Sequence, residues 1–206
     1  MAIILSDTVL VNNEPVCTNI ELTQTDEVKY EGNILKEGKK LIYVAFYKPR
    51  GIETTLNEGI PDNLKLILPF EDEVFPVGRL DKASEGLLLL TNDGTLYDKI
   101  LRNEHKTEKE YIVTVDKKID ALFLTSMASG IKIMGKMTLP CHIEQINEYT
   151  FKIILVQGLN RQIRRMCYKL HYEVLSLIRV RIGTIQLENL QSGQYRFLNN
   201  IKAGEV

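Results

Sequence analysis

Three kinds of side chain in this 206-residue chain could do chemistry on a polar substrate: a lone loop carboxylate, a phenol on a strand and a cluster of guanidinium groups. The carboxylate is Asp81, in "GRLDKASEGLLLLTNDG" (78–94), set behind Arg79 and ahead of four leucines. The phenol is Tyr111, in "KEYIVTVD". From Arg161 to Arg181 stand Arg161, Arg164, Arg165, Lys169, Arg179 and Arg181, with Glu173 as the opposing acid. A carboxylate can act as nucleophile or base, and a phenol can exchange a proton. A half-buried carboxylate tends to be protonated unless a cation stands beside it, and clustered arginines suit a polyanion. Each feature also has a plainer reading. Asp81 could be a turn residue, Tyr111 a half-buried strand residue, and the arginines the solvated face of a helix that buries Ile163, Met166, Cys167 and Leu170.

Other chemistries find no support. There is no G-x-x-x-x-G-K-[ST], and no G-x-G-x-x-G follows a strand, so a nucleotide-phosphate cradle is not expected. His105, His142 and His171 lack metal-ligand spacing, and Cys17, Cys141 and Cys167 are far apart, which argues against zinc and disulfides alike. A hydrolase using two carboxylates lacks a partner for Asp81, since Glu85 reads as a turn or hydrogen-bonding residue. No metal and no cofactor are expected. The start "MAIILSDTVLVNNEP" lacks the features of a leader, and no run approaches the roughly 20 apolar residues of a membrane helix, so a cytoplasmic chain without membrane contact is expected.

The elements that must position these groups can be read from pattern. The formal net charge of −1 hides an asymmetry: residues 1–40 hold four lysines against seven acids. "VLVNNEPV" and "DEVKYEGNIL" read as short strands with Asn, Gly and Pro turns, and "KEGKK" (36–40) as a link into a second unit. Strands are expected at "LIYVAFYKP", "EGLLLLTN", "KEYIVTVD", "TLPCHIEQI", "FKIILVQ" and "VLSLIRVRIG". The leucine run is apolar on both faces and belongs in a sheet interior. Helices are expected in "NDGTLYDKILR", in "IDALFLTSMASG" with Gly130 as its cap, and from about Asn160 to Leu170. This order suits an α+β fold with a mixed, mainly antiparallel sheet over 41–206, preceded by a small segment at 1–40.

The motif set "YKPRGIETTL", "VGRLDKASEGLLLLTNDG", "EKEYIVTV" and "VQGLNRQIRRMC", in this order over about residues 41–190, resembles the pseudouridine synthases that modify bacterial ribosomal RNA. Residues 8–34 are similar to the strand-rich C-terminal half of an S4 RNA-binding domain. The resemblance implies isomerisation of a specific uridine in ribosomal RNA, with 23S rRNA the expected target. A tRNA anticodon stem-loop and a non-catalytic RNA-binding or ribosome-assembly module are the alternatives. In such enzymes a single aspartate carries the reaction, and Asp81 occupies its position. Arg164, in "RQIRRM", would supply the neighbouring cation through a bidentate pair. Tyr111 would stack on the target base and could remove the C5 proton, with Leu177 on the base's other side. Arg79 would fill the space left by the flipped uridine, and Lys48, Arg161, Arg165 and Arg181 would hold the RNA backbone. RNA is the expected partner of a monomeric protein.

Overall fold

The computed structural model describes residues 9–70, 73–102 and 107–198, and the chain divides into two compact units, Met1–Leu41 and Ile42–Val206. His105 lies outside the described residues. In the first unit, β1 (Val9–Val11), β2 (Glu14–Pro15), β3 (Val28–Tyr30) and β4 (Asn33–Lys36) form an antiparallel sheet in the order β2-β1-β3-β4. Asn12 and Asn13 turn β1 into β2 with positive φ values of 53° and 67°, the conformation that tight hairpins need and Asn tolerates. Asp26 ties the long β2–β3 connection down: Asn12 and the Thr23 backbone and hydroxyl donate to its carboxyl, and these bonds hold its pKa at about 2.

The second unit runs β5 (Tyr43–Lys48), β6 (Phe75–Val77), β7 (Glu85–Thr91), α1 (Gly94–Arg102), β8 (Lys109–Val115), α2 (Ala121–Ser129), β9 (Lys132–Ile133), β10 (Lys136–Met137), β11 (His142–Gln145), β12 (Thr150–Leu155), α3 (Gln162–Lys169), β13 (Val174–Ile182), β14 (Ile185–Gln186) and β15 (Tyr195–Phe197). Nine of these strands make one sheet, ordered β11-β12-β8-β13-β7-β5-β15, with β14 added to β13 and β6 to β7. All its pairings are antiparallel except β13 with β7. The mixed, mainly antiparallel α+β architecture is therefore the one expected from the sequence.

The leucine run explains the centre. Leu87 and Leu89 pack with Ala45, Val77, Leu96 and Ile182, while Leu88 and Leu90 pack with Val44, Phe46, Leu64 and Val74. Alternation of side chains along a strand turns four consecutive leucines into two buried faces. A third cluster lies under α2 and α3, where Phe123, Met127, Ile163, Met166 and Cys167 cover Val113, Val115, Phe151 and Ile153.

One edge of β7 is divided between two partners. At one end β13 runs alongside in the register Ile178↔Glu85 and Arg179↔Gly86; at the other β6 pairs Val77↔Leu89 and Phe75↔Thr91. The close approach of β13 is possible because residue 86 is glycine. It has φ +104°, and a Cβ there would lie 2.4 Å from the Arg179 carbonyl oxygen. Between the two partners the carbonyl of Leu87 accepts from Arg179 Nε at 2.7 Å. The loop that joins β6 to β7, residues 78–84, leaves the sheet beside this fork.

Several elements have no counterpart in the sequence reading. β6 is three residues with a central proline, and β9, β10 and β14 are two residues each, too short to show a period. β11 starts at His142 rather than near Thr138, because Pro140 has no N–H to give a ladder.

Candidate active site

The loop carrying Asp81 is pinned on both sides of it. Before Asp81, Leu80 is buried, and its backbone is clamped by the Thr54 hydroxyl, which donates to Leu80 O at 2.8 Å and accepts from Leu80 N at 3.2 Å. After Asp81, Lys82 O accepts from Gly51 N at 2.7 Å, and the Ser84 N–H closes a turn onto Asp81 O at 2.9 Å. Arg164 Nη2 then donates to Ala83 O at 2.8 Å and to Ser84 Oγ at 3.3 Å, while its Nη1 holds Val174 O at 3.1 Å. With the backbone held in this way, the carboxylate has little freedom of position, and its side chain stays 29% exposed.

Asp81 faces a cleft of about 630 Å³, within the size range of small-molecule sites, whose lining includes Arg79, Tyr111, Arg161, Leu177 and Arg179. Arg161 Nη1 stands 3.6 Å from Asp81 Oδ2, an ion pair without a hydrogen bond. Arg161 precedes α3 in the left-handed conformation, φ 51° and ψ 37°. Tyr111 on β8 lies directly across from Arg179 on β13, and Leu177 sits two residues before Arg179. Leu177 is buried against the α3 cluster, and Tyr111 packs on that cluster's edge. The cleft therefore has an aromatic and an aliphatic wall beside a carboxylate and a cation. Such a set can take a planar base between apolar surfaces and present a nucleophile or base to the sugar attached to it.

Arg161, Arg164, Lys48 and Arg181 are placed differently from the sequence expectation. The cation paired with Asp81 is Arg161; Arg164 spends its donors on backbone and Ser84 Oγ and braces the loop from behind. Burial, followed by Arg161, lowers the Arg164 pKa; Asp81 opposes this and Arg50 adds to it. Lys48 is not on the surface. It is 0% exposed, and its Nζ donates to Pro49 O and Ile52 O at 2.8 Å each. Burial pushes its pKa down to about 8, with Glu85 and Asp81 raising it and Arg179 lowering it. Arg181 is tied to Glu110 at 2.9 Å, Glu108 at 3.0 Å and Gly183 O at 2.8 Å. Among the described residues the Arg165 side chain bonds only the backbone oxygen and side-chain oxygen of Asn160. Arg79 is exposed and lines both the main cleft and a neighbouring hollow.

Thr54, Gly51 and the buried Arg179 are part of the site's framework, and the sequence reading did not single them out. Thr54 and Gly51 act through backbone contacts that no spacing announces. Arg179 was visible only as one more charge in a basic run. Among the described residues no group of three His, Cys, Asp or Glu side chains could hold a metal ion, and no helix is long and apolar enough to cross a membrane. Burial pushes the thiols of Cys141 and Cys167 up to about 11 and about 12, which favours the protonated thiol over the reactive thiolate.

Residues 42–169 match the family model described as RNA pseudouridylate synthase. The chain is 41% identical over 194 residues to the dual-specificity RNA pseudouridine synthase RluF of Escherichia coli (strain K12), covering 93% of this chain and 67% of the relative. It is 30% identical over 184 residues to the ribosomal small subunit pseudouridine synthase A of Pasteurella multocida, covering 87% of this chain and 79% of the relative. A crystal structure of a pseudouridylate synthase superposes with a TM-score of 0.73 at 29% identity, over 99% of this chain and 90% of that one. The motifs, the sheet with its forked strand and these likenesses agree, and the chain belongs to the RNA pseudouridylate synthase family.

Proposed function

We propose that this RNA pseudouridine synthase acts on a uridine of ribosomal RNA, in the large subunit, and that Asp81 is its catalytic carboxylate. The observation that carries this reading is the placing of Asp81 on a pinned loop, ion-paired to Arg161, in the cleft shared with Tyr111 and Leu177. The reaction breaks the N1–C1′ bond, turns the uracil and joins C5 to C1′; the C5 proton leaves and N1 takes one up, so the product is an isomer and no redox partner is needed. Asp81 serves either as the nucleophile, at C1′ or C6, or as the base that takes the ribose 2′ proton. Tyr111 and Leu177 hold the two faces of the base, and the Tyr111 phenol is the group nearest in kind to a base for the C5 proton.

The uridine must leave its stack to reach Asp81, at a cost of a few kcal/mol, and Arg79 at the cleft mouth fills the space it leaves. Arg161 and Arg165 hold phosphates. Lys48 and Arg181, whose donors are spent within the protein, act by bracing the site. A ribosomal substrate is supported by the name of the Pasteurella relative, a ribosomal small subunit enzyme; the choice of the large subunit rests on the motif resemblance alone. The E. coli relative is named as dual-specificity, so tRNA is assayed beside rRNA.

The test is tritium release from RNA labelled at uridine C5, using rRNA and tRNA from cells lacking the protein, followed by mapping of the new pseudouridine. Release from rRNA at one mapped site is the expected result. Release from tRNA alone would move the substrate to an anticodon stem-loop, and release from neither would overturn the reading.

A further inference from the structure

Several cations of this chain are matched to carboxylates. Lys82 pairs with Asp62, Lys118 with Glu148, Lys152 with Glu144 and Arg196 with Glu188. Along α3 such partners are few. Arg161 meets only Asp81, Arg165 only Asn160, and Lys169 forms no ion pair among the described residues. These residues and Tyr168 stand at i, i+4, i+7 and i+8, which places them along one side of the helix. The opposite side is the buried one, with Ile163, Met166 and Cys167 at 4% exposure or less. Arg50 adds a further positive charge near Arg164.

Tyr168 is 78% exposed, the highest value among the exposed large apolar and aromatic side chains, and it has no ring contact and no side-chain hydrogen bond among the described residues. A single exposed aromatic needs no explanation by itself. This one lies beside Arg165 and Lys169, which form no ion pair among the described residues, in a row of cations that begins at Arg161, inside the cleft. Seven residues of helix separate Arg161 from Tyr168, roughly 10 Å at 1.5 Å per residue. That is the length of about three stacked nucleotides at 3.4 Å each. A strip that alternates cations with a bare ring is the arrangement that holds single strands, the cations on phosphates and the ring under a base.

We propose that the outer side of α3 is a track for the single-stranded RNA that adjoins the target uridine, with Tyr168 stacking under one base and Arg165 and Lys169 on the flanking phosphates. The proposal rests on the RNA substrate argued above, and adds a binding surface outside the cleft and a residue, Tyr168, that the motifs do not include. Charge chooses the occupant: unmatched cations on a chain whose net charge is −1 favour a polyanion over an apolar protein partner.

The test is filter binding of rRNA, purified from cells lacking the protein, across a salt series, together with tritium-release kinetics on the same RNA. Tyr168→Ala is expected to weaken binding between about 5- and 100-fold, to raise KM far more than it lowers kcat, and to leave the salt slope in place. Tyr168→Phe keeps the ring and is expected to bind as wild type. Lys169→Ala is expected to lower the slope of log affinity against log salt by about one. Wild-type affinity in Tyr168→Ala, or a loss in Tyr168→Phe equal to that in Tyr168→Ala, would overturn the stacking role. An unchanged slope in Lys169→Ala would overturn the phosphate track. If the wild-type protein turns over rRNA while these variants match it, only the α3 surface falls; if the wild type turns over no RNA, the substrate reading falls and takes this one with it.

Discussion

Lys48, Arg164 and Arg179 carry the same charge as Arg161, Arg165 and Lys169, yet the two sets are used in opposite ways. The first set points inward and donates to carbonyls: Lys48 to Pro49 and Ile52, Arg164 to Ala83 and Val174, Arg179 to Leu87. These bonds fix the loop before Thr54, the end of the Asp81 loop and the fork in β7. The second set makes few internal bonds and looks outward. Burying a cation is costly, and the cost shows in the Lys48 pKa of about 8 and in Arg164 Nε and Arg179 Nη2, which are buried without a partner. The fold accepts that cost next to Asp81, the carboxylate proposed to be catalytic. A cation with its donors spent is part of the scaffold, and one with donors to spare is available to phosphate.

Removing a bracing cation should therefore have the larger effect. Arg164→Ala leaves the carbonyls of Ala83 and Val174 without their donor, at about 1–3 kcal/mol each. Single-turnover tritium release should fall on the order of a hundredfold, and the midpoint of thermal unfolding should drop by several degrees. Arg164→Lys should recover little, because one ammonium cannot span the two carbonyls that the guanidinium fork holds. Full activity in Arg164→Ala would erase the distinction between the two sets.

Lys48 sharpens the comparison through pH. Its folded pKa of about 8 lies below the ordinary lysine value of 10.5, so between these values the unfolded chain binds a proton that the native chain does not. Stability from this group therefore rises with pH across that window, and the charge is a burden below it. Urea melts should show the wild type gaining on Lys48→Met by up to about 3 kcal/mol between pH 7.5 and 10.5. A constant difference would mean that the buried ammonium is not disfavoured. The smallest effect is expected at Arg181. Its donors are taken up by Glu108, Glu110 and Gly183 O, so Arg181→Gln should change rRNA affinity by less than about threefold and leave the salt slope as it was. A slope lower by one would return Arg181 to the phosphate contacts.

The sheet's centre and α3 were legible in the sequence because their information is local. Four leucines in a short run bounded by turn residues read as a strand buried on both faces, and Ile163, Met166 and Cys167 at helical spacing share one side of a helix. The division of the cations was not legible, because it is set by partners far away in the chain. Arg181 meets glutamates 71 and 73 residues distant, and Arg164 reaches 81 residues back to Ala83. The exchange between Arg161 and Arg164 beside Asp81 goes with a local oddity, the left-handed backbone of Arg161, which no count of charges announces. β6 hid for the opposite reason: three residues around a proline carry too little pattern.

Asp81→Asn tests the central claim most directly. The substitution keeps the shape of the side chain and removes only a half-exposed ion pair, worth at most about 1 kcal/mol, so folding and rRNA affinity should stay near wild type. Single-turnover tritium release from C5-labelled rRNA should fall on the order of 10⁴-fold or more. Release by Asp81→Asn at a rate close to that of the wild type would contradict the account.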